Sequence, residues 1–378
     1  MAKTSFVANP AKIKVLGLGG GGCNAITRMV REEIQSVEFI ALNTDAQALA
    51  ITEAPTRIQL GEKLAKGLGV GGDHTLGQKA AEENSDEIKE LVSGADMVFI
   101  TCGMGGGTGT GAAPIIAEIA KQNGVLTIAV VTKPFSFEGV RRCQVADEGI
   151  IRLLGKVDTL IIIPNDRLLD LCDQKTPVDN AFKLADDVLY HGVQAIAEVI
   201  TVPGMINLDF ADVKAVMRDA GPAWMSVGIG SGKNRAIEAA KEALASPLLD
   251  VSIGGSKGVL FNVVGGSSLT LTEVNEAAEV IKQAVDPEAN IIFGVAHDPN
   301  MDTELRITLI ATGFASKTGL AETTEGEYAQ LLRGLKSEEE LDVPSFLRRP
   351  LFSHRRQALT PTTKLVQTPE HTPIRQNL

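Results

Sequence analysis

Nine consecutive positions, Gly103-Met104-Gly105-Gly106-Gly107-Thr108-Gly109-Thr110-Gly111, hold six glycines and two hydroxyls. Few structures tolerate such a stretch. Glycine is entropically costly inside regular elements, so a dense cluster belongs where the chain turns tightly or its backbone must approach something closely. The block follows an aliphatic run, MVFIT (Met97–Thr101), and precedes a helical pattern over Ala112–Asn123. A strand–loop–helix junction of this kind points successive amides at one spot and adds the unpaired N–H groups of a helix N-terminus. It predicts a cradle for a di- or triphosphate.

Two further glycine clusters sharpen that expectation. Gly17-Leu18-Gly19-Gly20-Gly21-Gly22 closes the run IKVLGL (Ile13–Leu18) and leads into Cys23-Asn24-Ala25, the opening of another helical pattern. Gly67-Leu68-Gly69-Val70-Gly71-Gly72 stands just before a helix expected over Thr75–Ser93. Gly17, Gly19 and Gly22 satisfy G-x-G-x-x-G with Asp45 downstream, a weak sign of a dinucleotide cofactor. A dinucleotide dehydrogenase needs one such loop; three converging on a sheet edge fit a nucleoside triphosphate. The P-loop pattern G-x-x-x-x-G-K-[ST] and an N-K-x-D guanine motif are both missing from the sequence.

Glu38–Leu42, Leu126–Val131 and Thr159–Ile163 also read as buried strands, and Ala25–Glu33 as a helix. This is the alternation of a doubly wound, mostly parallel sheet, whose ligands lie beyond the carboxyl ends of the strands. A long helix follows, from Pro177 to about Thr201, with Thr176 as its cap and apolar positions from Val178 to Ile200 near a 3.6-residue period. It reads as a spine joining two domains. Strands over Met225–Ile229, Val259–Val264, Ile291–Val295 and Leu305–Ala311, with helices near Arg235–Ala245 and Thr272–Ala284, make a smaller second domain ending near Phe314.

Charge and composition narrow the function classes. Aromatics are 4% of 378 residues, so the core must be aliphatic, which favours α/β folds. Cys23, Cys102, Cys143 and Cys172 include no C-x-x-C, and the five histidines show no metal-ligand spacing, so a disulfide framework, structural zinc and metal-hydrolase chemistry are not expected. A reducing cytoplasm is. Neither a membrane-spanning apolar run nor a secretory h-region is present. The net charge of −11 disfavours general nucleic-acid binding. Residues 348–378 nevertheless carry six basic groups against Glu370 alone.

GLGGGGCNA with NTDAQAL (43–49), GMGGGTGTGAAP (103–114), TKPFSFEG (132–139), IIIPNDRL (161–168) and NLDFADV (207–213) together resemble the FtsZ family, the tubulin-like GTPases of bacterial cell division. The resemblance covers roughly residues 11–316 and recurs in a short C-terminal peptide. It implies a tubulin-like fold: a Rossmann-like parallel-sheet GTPase domain joined by a long central helix to a smaller α+β domain. The expected divisions are a flexible N-terminus (1–12), the GTP-binding domain (13–176), the central helix (177–202), a C-terminal activation domain (203–316), a linker (317–337), a partner-binding peptide (338–349) and a disordered basic tail (350–378).

The resemblance also assigns residues. GTP or GDP would lie on Gly20, Gly21, Gly22, Cys23 and Asn24, on Gly71, and on Gly103, Gly105, Gly106, Gly107, Thr108, Gly109 and Thr110. Mg²⁺ would be bound mainly through the nucleotide. By residue type alone Phe182 reads as a core residue and Asp186 as a solvated partner of Lys183; the resemblance has Phe182 stacking on guanine and Asp186 reading its edge, assisted by Asn24 and Asn165. Glu138 and Arg142 read unaided as an intrahelical ion pair, and by resemblance contact the ribose and phosphate region. Asn207, Asp209 and Asp212 read unaided as a helix cap with two acids in its first turn; by resemblance they act in trans on the next subunit's nucleotide. Such a head-to-tail contact does not close and builds a filament.

Leu341–Arg349, inside EEELDVPSFLRR, resembles the tail peptide that recruits membrane-tethering and division proteins, giving an indirect membrane association at mid-cell. The family's third loop often reads G-A-N-P where this chain has Gly71-Gly72-Asp73-His74, and the roles of Asp73 and His74 stay open. Three rivals stand beside this reading: a Rossmann oxidoreductase, a tubulin-like filament protein for DNA segregation or cell shape, and a GTP-binding scaffold that does not polymerise.

Overall fold

A computed structural model describes residues 11–314, apart from 33, 35, 170–176, 202–208, 249–252 and 299–300. The expectations for Asn207, Thr176, the linker, the C-terminal peptide and the basic tail fall outside the described residues.

The elements run in the order β1 (Ile13–Leu18), α1 (Gly19–Arg31), β2 (Val37–Asn43), α2 (Ala46–Ile51), β3 (Thr56–Gln59), α3 (Glu62–Ala65), α4 (His74–Glu83), α5 (Ser85–Val92), β4 (Met97–Gly103), α6 (Thr108–Gln122), β5 (Leu126–Lys133), α7 (Val140–Leu154), β6 (Thr159–Pro164) and α8 (Asn165–Leu169). Then come α9 (Val178–Thr201), α10 (Phe210–Met217), β7 (Gly221–Ser231), α11 (Arg235–Ala245), β8 (Gly258–Gly265), α12 (Leu271–Lys282), β9 (Asn290–His297) and β10 (Glu304–Thr312).

The strand order is β3-β2-β1-β4-β5-β6-β7-β10-β8-β9. From β3 to β6 all pairings are parallel. The chain winds outward in one direction from β1 to β3 and in the other from β4 to β6, so the order reverses between β1 and β4. That switch point is where an open α/β sheet leaves a crevice for a ligand. The first two glycine clusters emerge from the two strands that flank it.

β7 belongs to both halves. Its residues Gly221–Ala223 pair in parallel with β6, and Trp224–Ser231 pair antiparallel with β10. β10 also pairs antiparallel with β8, and β8 pairs in parallel with β9. The second sheet is therefore mixed.

Burial follows the expected aliphatic pattern. One core layer holds α1, α9 and α10 against β1, β4, β5 and β6 and continues to Leu260, Ile292 and Ile310 of the second sheet. The other face of the first sheet is covered by α4 to α7, and a third cluster packs α11 and α12 on the second sheet. The α9 spine thus touches both halves through Leu189, Val193 and Ile196, all nearly inaccessible.

Several boundaries differ from expectation, each for a physical reason. The helix expected from Ala25 begins at Gly19, and the one expected from Ala112 begins at Thr108, so part of each glycine cluster is the first turn of a helix. The single helix expected over Thr75–Ser93 is broken at Asn84, whose side chain accepts from the Gly61 amide and donates to Glu87. β3 is a four-residue edge strand, too short for a periodic signal. The helix implied by a Glu138–Arg142 pair starts only at Val140 and runs on to Leu154, with Ala146, Gly149, Ile150 and Leu153 buried at helical spacing.

Candidate functional site

The first two loops meet at the switch point. A Cβ on Gly21 would lie 3.3 Å from the Gly103 amide nitrogen, and one on Gly19 would lie 3.0 Å from that of Gly109. Gly22 is buried, and a Cβ there would strike the Thr101 carbonyl, so the α1 turn can seat on β4 only as glycine. Gly20, by contrast, has open space before it. The third loop closes from the side: a Cβ on Gly107 would come within 3.1 Å of the Asp73 amide nitrogen. The hydroxyls of Thr44 and Thr108 bond across the junction at 2.7 Å.

Electrostatics give these loops their chemistry. Neither α1 nor α6 has a side-chain N-cap, and neither carries an acid in its first turn. Two helix N-termini therefore stand side by side with their N–H groups unmatched by carboxylates, an arrangement suited to phosphate oxygens. Beside them opens a cavity of about 910 Å³, walled by Gly71, Gly72 and His74 on one side and by Glu138, Arg141 and Arg142 on the other, with Gly105–Gly107 as its floor.

Two carboxylates line this cavity and both have partners: Glu138, paired with Arg142, and Asp73, held by its own helix. Asp73 is the N-cap of α4, accepting from the amides of Thr75 (2.8 Å) and Leu76 (3.2 Å) and from the Thr75 hydroxyl. The bond from Thr75 is the main reason its carboxyl sits below the usual carboxylate range. His74 receives a bond at Nδ1 from Arg152 (3.0 Å) and places Nε2 3.6 Å from Glu148. The open question of the third loop is thereby answered for Asp73: it starts a helix.

Glu138 and Arg142 do pair, at 3.1 Å, but across the junction between a short 3₁₀ turn (Ser136–Glu138) and α7 rather than within one helix. The other oxygen of Glu138 accepts from the Phe135 amide at 2.8 Å. Gly139, with φ of +105°, makes the corner between the two elements, a conformation that favours glycine.

A second group of residues is linked to the cavity wall through Phe135, whose amide bonds Glu138 and whose ring meets Phe182. Phe182 on α9 is 41% exposed, and its ring meets Phe135 edge-on at 5.4 Å. It is therefore a presented ring, and its reading as a core residue is corrected. Asp186 follows one helical turn later on the same side of α9. Its carboxyl is pushed up to about 7, chiefly by burial and secondly by the Asp187 carboxylate, against the opposing pull of Arg28. A solvated partner of Lys183 would not behave so, because water would keep it in the ordinary range. Asn165, 5% exposed at the start of α8, buries a side-chain oxygen that has no donor. An unsatisfied buried acceptor costs about 1–3 kcal/mol, and a ligand N–H would relieve it. Asn24 is exposed on the second turn of α1.

Three expected contacts are placed differently by the structure. Thr110 is fully buried and its hydroxyl accepts from the Gly105 amide at 2.9 Å, so its side chain braces the loop from beneath. Cys23 is also buried, its thiol pushed up to about 11 by burial, with Thr52 and Asn43 as bonding partners. Asp45, the ribose-binding acid of a dinucleotide reading, caps α2 instead. Asp209 and Asp212 are exposed at the N-cap and in the first turn of α10, and Asp209 makes no capping bond with its side chain. His74, Arg141 and Arg152 had no signal in spacing, since their meeting depends on α7 folding back beside α4.

Among the described residues no three His, Cys, Asp or Glu side chains gather to hold a metal ion. Among the described residues, too, no helix is long and apolar enough to cross a membrane.

Comparison with known proteins gives two family matches: residues 12–173 with the GTPase domain of the Tubulin/FtsZ family, and residues 221–315 with the FtsZ family C-terminal domain. An empty FtsZ dimer from M. jannaschii is 47% identical, covering 84% of this chain and 92% of that one, with a TM-score of 0.80. CetZ1 from Haloferax volcanii, a GDP-bound monomer, is 19% identical over 85% of this chain and 99% of its own, with a TM-score of 0.71. CetZ2 from the same organism, solved as a GTPγS-bound protofilament, is 18% identical over 86% of this chain and 100% of its own, at 0.70. The last two share the fold.

Proposed function

The chain belongs to the FtsZ family of tubulin-like GTPases, and from that premise we propose that it polymerises head to tail and completes GTP hydrolysis across the subunit contact. The observation that carries this reading is the separation of two half-sites. Among the described residues two acids stand beside the phosphate cradle, and both are occupied: Asp73 caps α4 and Glu138 pairs with Arg142. Asp209 and Asp212 stand exposed on α10, one of them uncapped by any bond. A docked neighbour would bring the two together.

In this reading the amides of Gly20, Gly21, Gly22, Gly105, Gly106 and Gly107 hold the phosphates. Gly71, Gly103, Thr108 and Gly109 shape the cradle, with Cys23 and Thr110 supporting it from inside. Glu138 and Arg142 meet the ribose and phosphate region. Phe182 stacks on guanine; Asp186 accepts from its N1–H and amino group, and Asn165 and Asn24 complete the edge. Charge-assisted bonds of this kind are about twice as strong as neutral ones. Asp209 and Asp212 of one subunit, with Asn207, orient and deprotonate the water that attacks the neighbour's terminal phosphate. Mg²⁺ carried on the phosphates would supply charge neutralisation. Dimer and protofilament states of the relatives support homo-oligomerisation. A division ring at mid-cell in the cytoplasm, with tethering partners on Leu341–Arg349, is the setting we propose.

Asp212→Ala should keep GTP binding and lose most turnover. Per-subunit turnover of the unmodified protein should rise steeply above a threshold concentration, together with right-angle light scattering, on adding GTP but not GDP or NADH. Turnover that stays proportional to concentration throughout would show that a lone subunit is sufficient.

A further inference from the structure

The proposal above needs α10 to present Asp209 and Asp212 at a fixed angle, and the root of that helix is tied down at several points. The Met217 carbonyl accepts from the Thr159 hydroxyl of β6, and the Val216 carbonyl accepts from the Thr312 hydroxyl of β10 at 3.2 Å. Val213, Val216 and Met217 are buried in the layer beneath. Two residues past the helix, Asp219 adopts a left-handed φ of +49°. Its amide donates to Asp158 Oδ1 at 3.4 Å, and its own Oδ1 receives Lys121 Nζ at 2.9 Å.

Lys121 is the hub of this cluster. Its ammonium also lies 3.6 Å from Asp158 Oδ1 and donates to the Val157 carbonyl at 3.3 Å. Asp158 is 4% exposed and accepts from the Thr127 amide at 2.9 Å, so its charge faces the low-dielectric interior with Lys121 as its cationic partner. Removing one member of such a pair leaves the other uncompensated and forces local rearrangement.

Lys121 stands in the last turn of α6, whose first turn is the phosphate loop at Thr108. At ~1.5 Å per residue those ends are about 20 Å apart along one helix. We infer that Lys121 is a positioning residue for the acids on α10. It fixes, through Asp219 and Asp158, the root of the helix that a subunit offers to its neighbour, and ties that helix to the α6 rod that receives the subunit's own phosphates. The inference rests on hydrolysis being shared between subunits. Lys121 itself does not line the cavity beside the phosphate loops.

The test uses full-length variants mixed pairwise. Lys121→Met alone should lose turnover by about tenfold, within the up to about 10²-fold that a ~1 Å misplacement can cost; its GDP affinity and its KM should be unchanged. Gly20→Glu closes a subunit's own pocket and leaves α10 intact, whereas Asp212→Ala does the reverse. Lys121→Met mixed with Gly20→Glu should recover turnover, because the partner supplies a well-placed α10. Mixed with Asp212→Ala it should not recover. Recovery with Asp212→Ala, or unimpaired turnover by Lys121→Met alone, overturns the assignment. Asp219→Asn repeats the test on an exposed residue whose left-handed backbone Asn adopts readily, and Lys121→Arg should restore most activity; a normal rate for Asp219→Asn counts against the proposal. If Gly20→Glu and Asp212→Ala fail to complement each other, the shared-hydrolysis reading itself fails and takes this inference with it.

Discussion

Asp186 offers a prediction whose size can be worked from the structure. Burial, then the Asp187 carboxylate, lifts its carboxyl to about 7. Guanine offers donors at N1 and at its amino group, so it binds the ionised form. With a pKa near 7, about a tenth of the subunits carry the ionised form at pH 6 and about nine-tenths at pH 8. Affinity for GDP should therefore strengthen by roughly tenfold between those values, or about 1.4 kcal/mol, with up to one proton released on binding at pH 6. The nucleotide's phosphates titrate in the same range, so the informative quantity is the ratio between the unmodified protein and Asp186→Asn. Titration calorimetry at pH 6, 7 and 8, in two buffers of different ionisation enthalpy, measures both affinity and proton count. Stability should move the other way. The folded state holds a proton that the unfolded chain has released between the ordinary carboxylate range and pH 7, so stability falls as pH rises across that window. Asp186→Asn should then melt higher than the parent at pH 8 while binding nucleotide less well. Parallel pH dependences for parent and variant, with equal proton release, would refute the assignment of Asp186 to the base.

Gly20→Glu should fold, since a Cβ there meets nothing within 4 Å, and its acid at the α1 N-terminus should stabilise the helix by about 0.3–1 kcal/mol. The same acid would repel a phosphate by roughly 4 kcal/mol at an effective dielectric of 20, so GDP affinity measured by fluorescence titration should fall about a thousandfold. Gly111→Ala would drive a methyl into the His74 carbonyl and the Gln78 amide and force α4 away from α6, lowering stability in urea by about 3 kcal/mol. Glu273, whose carboxyl the Arg235 guanidinium and the Thr270 amide and hydroxyl hold down at about 2, stabilises the second sheet above the ordinary carboxylate range. That contribution is lost as pH falls toward 2, so Glu273→Gln should melt well below the parent at pH 7 and close to it at pH 2.

The parallel strands were legible because each is a short aliphatic run, followed in β1 and β4 by glycines and a helical period, and the match of β1, β4, β5 and β6 to those runs is close. The cradle was legible for the same reason: glycines that would be costly anywhere else mark where the backbone must come near. Phe182 and Asp186 show the limit of reading by residue type. A phenylalanine on an amphipathic helix belongs in the core unless a neighbouring element leaves it uncovered, and here Phe135 meets it only edge-on. Whether an aspartate is wet or buried depends on packing that no spacing records. The Arg152–His74 contact escaped because it joins residues on α4 and α7, 78 positions apart. The Lys121 cluster escaped likewise, Val157 lying 36 positions away and Asp219 98.

β7 carries a mechanical consequence. Its opening residues are stitched to β6 and its remainder to β10, so a single peptide segment runs from one sheet into the other without a slack joint between them. Tilting one half against the other must twist that segment elastically, with a restoring torque. Heat should accordingly melt both halves together, in one sharp calorimetric peak.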